Sequence, residues 1–119
     1  MKKLNTAQCD RFTDPLRRLG GDCDMLQMMA AMVTEDAPPL IEHTREQLEA
    51  GDLSAAAASA HSLKGMLSTF ESDQPGNDLQ RLIEAARAGK AEQATFCWQV
   101  AQPRINELVR EIAELCADE

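Results

Sequence analysis

Tyrosine is absent from this chain, and three phenylalanines and one tryptophan are its only aromatic residues. The core must therefore be built from Leu, Ile, Met, Val and Ala, a palette that favours helices over strands. No basic cluster offsets the formal net charge of −8. Nothing is available to neutralise a phosphate backbone, and an acidic surface is repelled by anionic lipid. Both facts argue against nucleic acid and membrane surfaces as partners. No apolar run approaches the ~20 residues that span a bilayer. No apolar stretch follows Met1-Lys2-Lys3 either, so no signal peptide is expected. Cys9, Cys23, Cys97 and Cys116 form no C-x-x-C pair, and neither histidine sits at zinc spacing to them. They are expected as small, half-buried side chains in a reducing cytosol. A glycine-rich phosphate cradle is also missing.

A length of 119 residues suits one domain, residues 1–119, with enough chain for a single proper core. At 44% hydrophobic and 27% charged, the composition is that of a folded chain and not a disordered one.

Residues 1–13 are polar apart from Leu4 and Phe12 and are expected to be a loosely structured or short-helical lead-in. Thr13-Asp14-Pro15 reads as a helix start, a capping side chain followed by proline in the first turn, and Gly20-Gly21 as its stop. Asp22 then caps a long segment with the stripe Leu26, Met29, Val33, Ala37, Leu40, Thr44 and Leu48. Met25, Met28 and Met32 broaden that face; a methionine-rich stripe also suits a promiscuous binding groove, but core packing is its expected use. The phase of the stripe survives Pro38-Pro39, which predicts one kinked helix or two nearly coaxial ones.

Gly51 ends this segment and Asp52 caps the next, predicted over 53–72 with Leu53, Ala56, Ala60, Leu63, Leu67 and Phe70 inward. Ser72-Asp73-Gln74-Pro75-Gly76 is the strongest break in the chain. Asn77 is read as the cap of a shorter helix that ends at Gly89 and turns Leu79, Leu82, Ile83 and Ala86 inward. The last helix, about 91–117, carries Ala94, Trp98, Ala101, Ile105, Leu108, Ile112 and Leu115 on one seam, and the acidic residues Glu114, Asp118 and Glu119 read as a solvated end. No stretch reads as a strand. The fold class is all-α, an antiparallel four-helix bundle with a short additional N-terminal helix.

The stretch Ala60–Ser68 carries the chemistry. On a helix of ~100° per residue, His61 falls about 130° and Gly65 about 170° from the seam centre, with Lys64 and Ser68 on the flanks. His61, Lys64, Gly65 and Ser68 thus form one stripe at i, i+3, i+4 and i+7, and Ser54, Ala57, Ala58 and Ser62 around it are small. A histidine among short side chains is open to another protein's active site. Neutral imidazole is a nucleophile near pH 7. A lysine one turn away supplies a point charge for phosphate oxygens. A glycine at 65 removes the side chain that would block approach, at a helix cost of ~1 kcal/mol. Only Ser68 on that stripe is a candidate nucleophilic or general-base partner, so a self-contained enzyme does not fit. His43, between Glu42 and Thr44 without a Lys-Gly partner, is read as non-catalytic.

His61-Ser62-Leu63-Lys64-Gly65 resembles the H-x-L-K-G signature of the histidine phosphotransfer (HPt) domain family. Leu19–Asp22, Glu35–Pro38, Leu48–Asp52 and Ala85–Gly89 resemble the family's segments around it. The chain departs from the family after the signature, where Met66–Ser72 replaces the small residues, Asn and Gly-Ala pair of many members. The resemblance implies an all-α bundle whose His61 accepts phosphate from a receiver-domain aspartate and passes it to another. It makes Lys64 the phosphate-facing cation and Gly65 the clearance position, with Ala57, Ala58, Ser62 and Ser68 in the docking patch. The implied partners are receiver domains of a hybrid histidine kinase and a response regulator. The receiver supplies Mg²⁺, so the chain itself needs no cofactor or metal, and no ATP binding or autokinase activity is expected. The expected protein is a free-standing cytoplasmic monomer. The alternatives are an excised domain of a larger kinase, or a helical adaptor that binds a receiver or kinase without carrying phosphate.

Overall fold

The protein is described by a computed structural model covering residues 4–71 and 73–116. Six helices follow in order: α1 (Thr6–Arg11), α2 (Thr13–Arg18), α3 (Cys23–Glu49), α4 (Leu53–Leu67), α5 (Gly76–Arg87) and α6 (Ala91–Glu114). The last four form the bundle. Each packs on its neighbour in sequence, and α6 closes the ring against α3. The seam residues lead this packing: Leu26, Val33, Ala37, Ala56, Ala60, Leu63, Leu67, Leu79, Leu82, Ile83, Ala94, Ala101, Ile105, Ile112 and Leu115 are all buried.

Tight turns set the antiparallel order. Gly51, at φ +76°, follows α3 in the left-handed region that glycine adopts without cost. There the Gly51 N–H donates to Leu48 O and the Asp52 N–H to Gln47 O, the paired bonds of a Schellman stop. Gly89, at φ +75°, ends α5 in the same way, with Gly89 N–H donating to Ala86 O and Lys90 N–H to Ala85 O. Asp22 and Asp52 are the N-caps predicted from the sequence. Their carboxylates accept from Met25 N at 3.0 Å and Ala55 N at 3.2 Å.

Several expectations are corrected. The lead-in takes the short-helical of its two expected forms, with residues 6–11 in a helix closed by a reciprocal capping box between Asn5 and Gln8, so two short helices precede the bundle where one was expected. Leu4 and Phe12 anchor them in the core. Thr13 does not cap α2: its hydroxyl donates backward to Cys9 O and Asp10 O, which ties the two short helices together. Of the two arrangements expected around Pro38 and Pro39, the structure has the single helix. α4 ends at Leu67, five residues early. Phe70 remains buried by another route, as its ring meets Phe12 edge-on at 5.8 Å. Pro75, not Asn77, precedes α5, and no side chain caps that helix. α6 ends at Glu114, which is exposed, while Ala117, Asp118 and Glu119 lie outside the described residues.

Arg11 pins the N-terminal pair to the bundle. It reaches Glu111 on α6 at 2.7 Å and Glu71 at 3.1 Å, while Arg18 donates to Thr69 O at 2.7 Å.

The largest correction concerns the methionines. Met25, Met28 and Met32 are 43%, 53% and 63% exposed and do not pack in the core. The reason is a mismatch of lengths. α3 has 27 residues and α4 only 15, so α4 covers the C-terminal half of α3 and leaves an outer flank of its N-terminal half bare. Met29 and Leu40 are half-buried, and Gln27 and Ala30 take their places among the buried positions. All four cysteines are free and half-buried.

Candidate functional site

α4 carries the site, and its two neighbours fix how it is turned. On one side the Gln47 side-chain amide of α3 lies 2.8 Å from Ser59 Oγ. On the other, Lys64 Nζ donates to Gln80 Oε1 of α5 at 2.8 Å. With Ala60 and Leu63 wholly buried between these contacts, the opposite surface of α4 faces solvent. His61, Ser62, Gly65 and Ser68 lie on it and are exposed, as is Ala58 one turn before His61. The His61 imidazole makes no hydrogen bond or ion pair among the described residues.

Lys64 is half-buried, and its ammonium rests on a neutral amide. Gln80 in turn donates from Nε2 to Glu84 Oε1 at 3.3 Å, so the amide stands between the ammonium and that carboxylate. No ion pair engages Lys64 among the described residues. Its charge is positioned but not neutralised, the state in which an incoming anion is attracted most.

Gly65 has no neighbour that demands a glycine. A Cβ built there meets nothing within 4 Å, and its φ is not in the left-handed region. The chain therefore gives up roughly 1 kcal/mol of helix propensity at an exposed interior position with no packing gain of its own. Ser68 bonds its own helix, with Oγ donating to Gly65 O at 2.8 Å.

Ala57 is not part of the open patch. It is only 3% exposed, because the end of α5 lies across it. Ala57 instead floors a shallow depression walled by Ser54, Ala58, Ala86 and Arg87. α4 and α5 run antiparallel, with Lys64 opposite Gln80 and Ala57 near Ala86, so His61 falls level with Leu82 and Ile83. Sequence reasoning missed Gln80, Glu84 and Arg87 as neighbours of the site. The i, i+4 spacing of Gln80 and Glu84 marks one face of α5, but only the interhelix register shows that this face meets Lys64. His43 is exposed on α3.

Among the described residues, no group of three or more His, Cys, Asp or Glu is placed to hold a metal ion, and no helix is long and apolar enough to cross a membrane.

Comparison with curated proteins and with solved structures returned no match. A family model does match: the Hpt domain model covers residues 28–118, a span that begins within α3 and includes all of α4, α5 and α6 with His61, Lys64 and Gly65. Histidine phosphotransfer in phosphorelays is the activity of that family. The chain belongs to the Hpt domain family.

Proposed function

We propose that this chain relays a phosphoryl group between receiver-domain aspartates through His61. The observation that carries the reading is the exposure of an unengaged imidazole among short side chains, with an ammonium held one turn along the same helix. The unprotonated imidazole nitrogen attacks the phosphorus of an aspartyl phosphate on the donor receiver. An N–P bond forms, the acyl-phosphate P–O bond breaks, and its electrons leave on the aspartate carboxylate. The second ring nitrogen keeps its proton. A second receiver then presents its own aspartate carboxylate, which attacks the same phosphorus and restores the imidazole.

Lys64 acts through charge. Its ammonium swings from Gln80 Oε1 to a phosphate oxygen and offsets the charge brought to the α4 surface. Gly65 leaves room for the receiver surface, and Ala58, Ser62 and Ser68 extend that clearance along the helix. The receiver brings Mg²⁺ and the remaining catalytic groups. The partners are receivers of a hybrid histidine kinase and of a response regulator, and the chain works as a cytoplasmic monomer without ATP.

The experiment is phosphate transfer from a phosphorylated receiver domain. An acid-labile adduct is expected on the wild-type chain and none on His61→Gln, with the fold unchanged by circular dichroism. Labelling that persists in His61→Gln overturns the assignment. Receiver binding and signalling that survive His61→Ala unchanged would instead make the chain an adaptor.

A further inference from the structure

Five large apolar side chains are exposed among the described residues, and three of them are Met25, Met28 and Met32 on one flank of α3. At ~100° per residue, Met32 and Met25 lie about 40° and 60° to one side of Met28, so the three thioethers form one stripe. Asp24 and Glu35 fall about 40° and 20° to the other side, and Asp36 about 80° beyond Met28 on the methionine side. All three carboxylates are exposed. Residues 22–42 contain Asp22, Asp24, Glu35, Asp36 and Glu42 and no lysine, arginine or histidine. The stripe therefore has an acidic border on both sides.

This surface is separate from the phosphotransfer face. Counting from the Gln47–Ser59 contact, Met28 stands roughly 25 Å along the bundle from His61, at about 1.5 Å per residue.

The border decides what can cover the stripe. A second copy of the chain brings a net charge of −8 and the same carboxylates against themselves. An anionic membrane or a nucleic acid meets the same repulsion. Flexible, polarisable methionine side chains adapt to varied apolar surfaces, and they favour partners that present an apolar ridge. We infer that the N-terminal half of α3 is a docking face for a basic amphipathic helix of another protein or domain. In that complex the apolar ridge lies along Met25, Met28 and Met32, and flanking lysines or arginines meet Asp24, Glu35 and Asp36. The role is tethering: the α4 face stays open while the partner is held.

The test uses the whole chain with ε-¹³C-methyl methionine, titrated with an 18-residue Leu/Lys peptide patterned as an amphipathic helix. The controls are a peptide of the same composition in scrambled order and a Leu/Glu peptide of the same pattern. Saturable shifts are expected at Met25, Met28 and Met32 with the Leu/Lys helix, and none with the Leu/Glu peptide. The scrambled peptide should bind at least tenfold more weakly. Asp24→Asn/Glu35→Gln/Asp36→Asn should weaken binding at least tenfold, and Met25→Gln/Met28→Gln/Met32→Gln should abolish it. His61→Gln should leave it unchanged, which keeps this result independent of the phosphotransfer assignment. Equal binding of the scrambled peptide, shifts confined to other methionines, or a dimer that forms through this flank at micromolar concentration would each overturn the inference.

Discussion

Replacing Gly65 separates what the glycine does for the chain from what it does for a partner. Inside α4, glycine is about 0.8–1 kcal/mol less favourable than alanine. A Cβ at this position meets nothing within 4 Å, so no clash offsets the gain. Gly65→Ala is therefore expected to stabilise the fold by about 1 kcal/mol, a rise in Tm of roughly 3–6 °C for a domain of this size. Gly65→Glu is expected to fold normally, because its side chain points into solvent. It places a carboxylate one turn beyond His61 on the surface a receiver must cover, however, and bulk and like charge both oppose an incoming phosphoryl group. Transfer from a phosphorylated receiver should slow by at least tenfold, which corresponds to about 1.4 kcal/mol at the transition state. Thermal unfolding of Gly65→Ala and rapid-quench transfer with Gly65→Glu are the two measurements. Wild-type transfer rates in Gly65→Glu would refute the clearance argument. An unchanged or lowered Tm in Gly65→Ala would show that glycine serves the fold after all.

Gln80→Leu removes the acceptor that holds Lys64 and should reduce transfer several-fold, with a stability change on the order of 1 kcal/mol. If Gln80 acts only through Lys64, the double variant Lys64→Ala/Gln80→Leu transfers no more slowly than Lys64→Ala alone, and a further loss would contradict that role. Phe70→Ala should cost about 3–5 kcal/mol in denaturant unfolding. Because Phe70 meets Phe12, the same change should raise amide exchange in α1 and α2 more than in α5. The hydrogen bond from Arg45, with its charge attraction, holds the Glu42 carboxyl below its ordinary value of 4.5. The folded state thus favours the ionised form. Its contribution is present above the unfolded carboxylate pKa and is lost as pH falls through the lowered folded value. Side-chain NMR titration should show Glu42 moving back toward its ordinary value in Arg45→Met.

The residues of the site were legible because they share one helix. Spacing within α4 is fixed by helical geometry, so His61 and Gly65 could be placed on the solvent side of the Ala60–Leu63 seam, and Lys64 and Ser68 on its flanks, without a structure; His61 and Gly65 are exposed, Lys64 is half-buried, and Ser68 is more open than its flank position suggested. Ala57 failed the same projection because its burial comes from α5, whose end crosses it. Gln80 was invisible for a related reason: a glutamine in a predicted helix carries no mark of which lysine of another helix it will meet. The methionine stripe failed because periodicity reports which face is apolar and not how far a neighbouring helix extends along it.

Taken alone, the sequence determined the local events. Aspartates 22 and 52 cap helices, Gly51 and Gly89 end them, and the seam residues choose which faces turn inward. These depend on neighbours a few residues apart. Tertiary structure alone decided the rest: the hold of Gln80 on Lys64, the covering of Ala57, the Phe12–Phe70 contact that secures the N-terminal helices, and the bare flank of α3. Each depends on the relative lengths and registers of helices distant in sequence, which are set by how the whole set of side chains packs together.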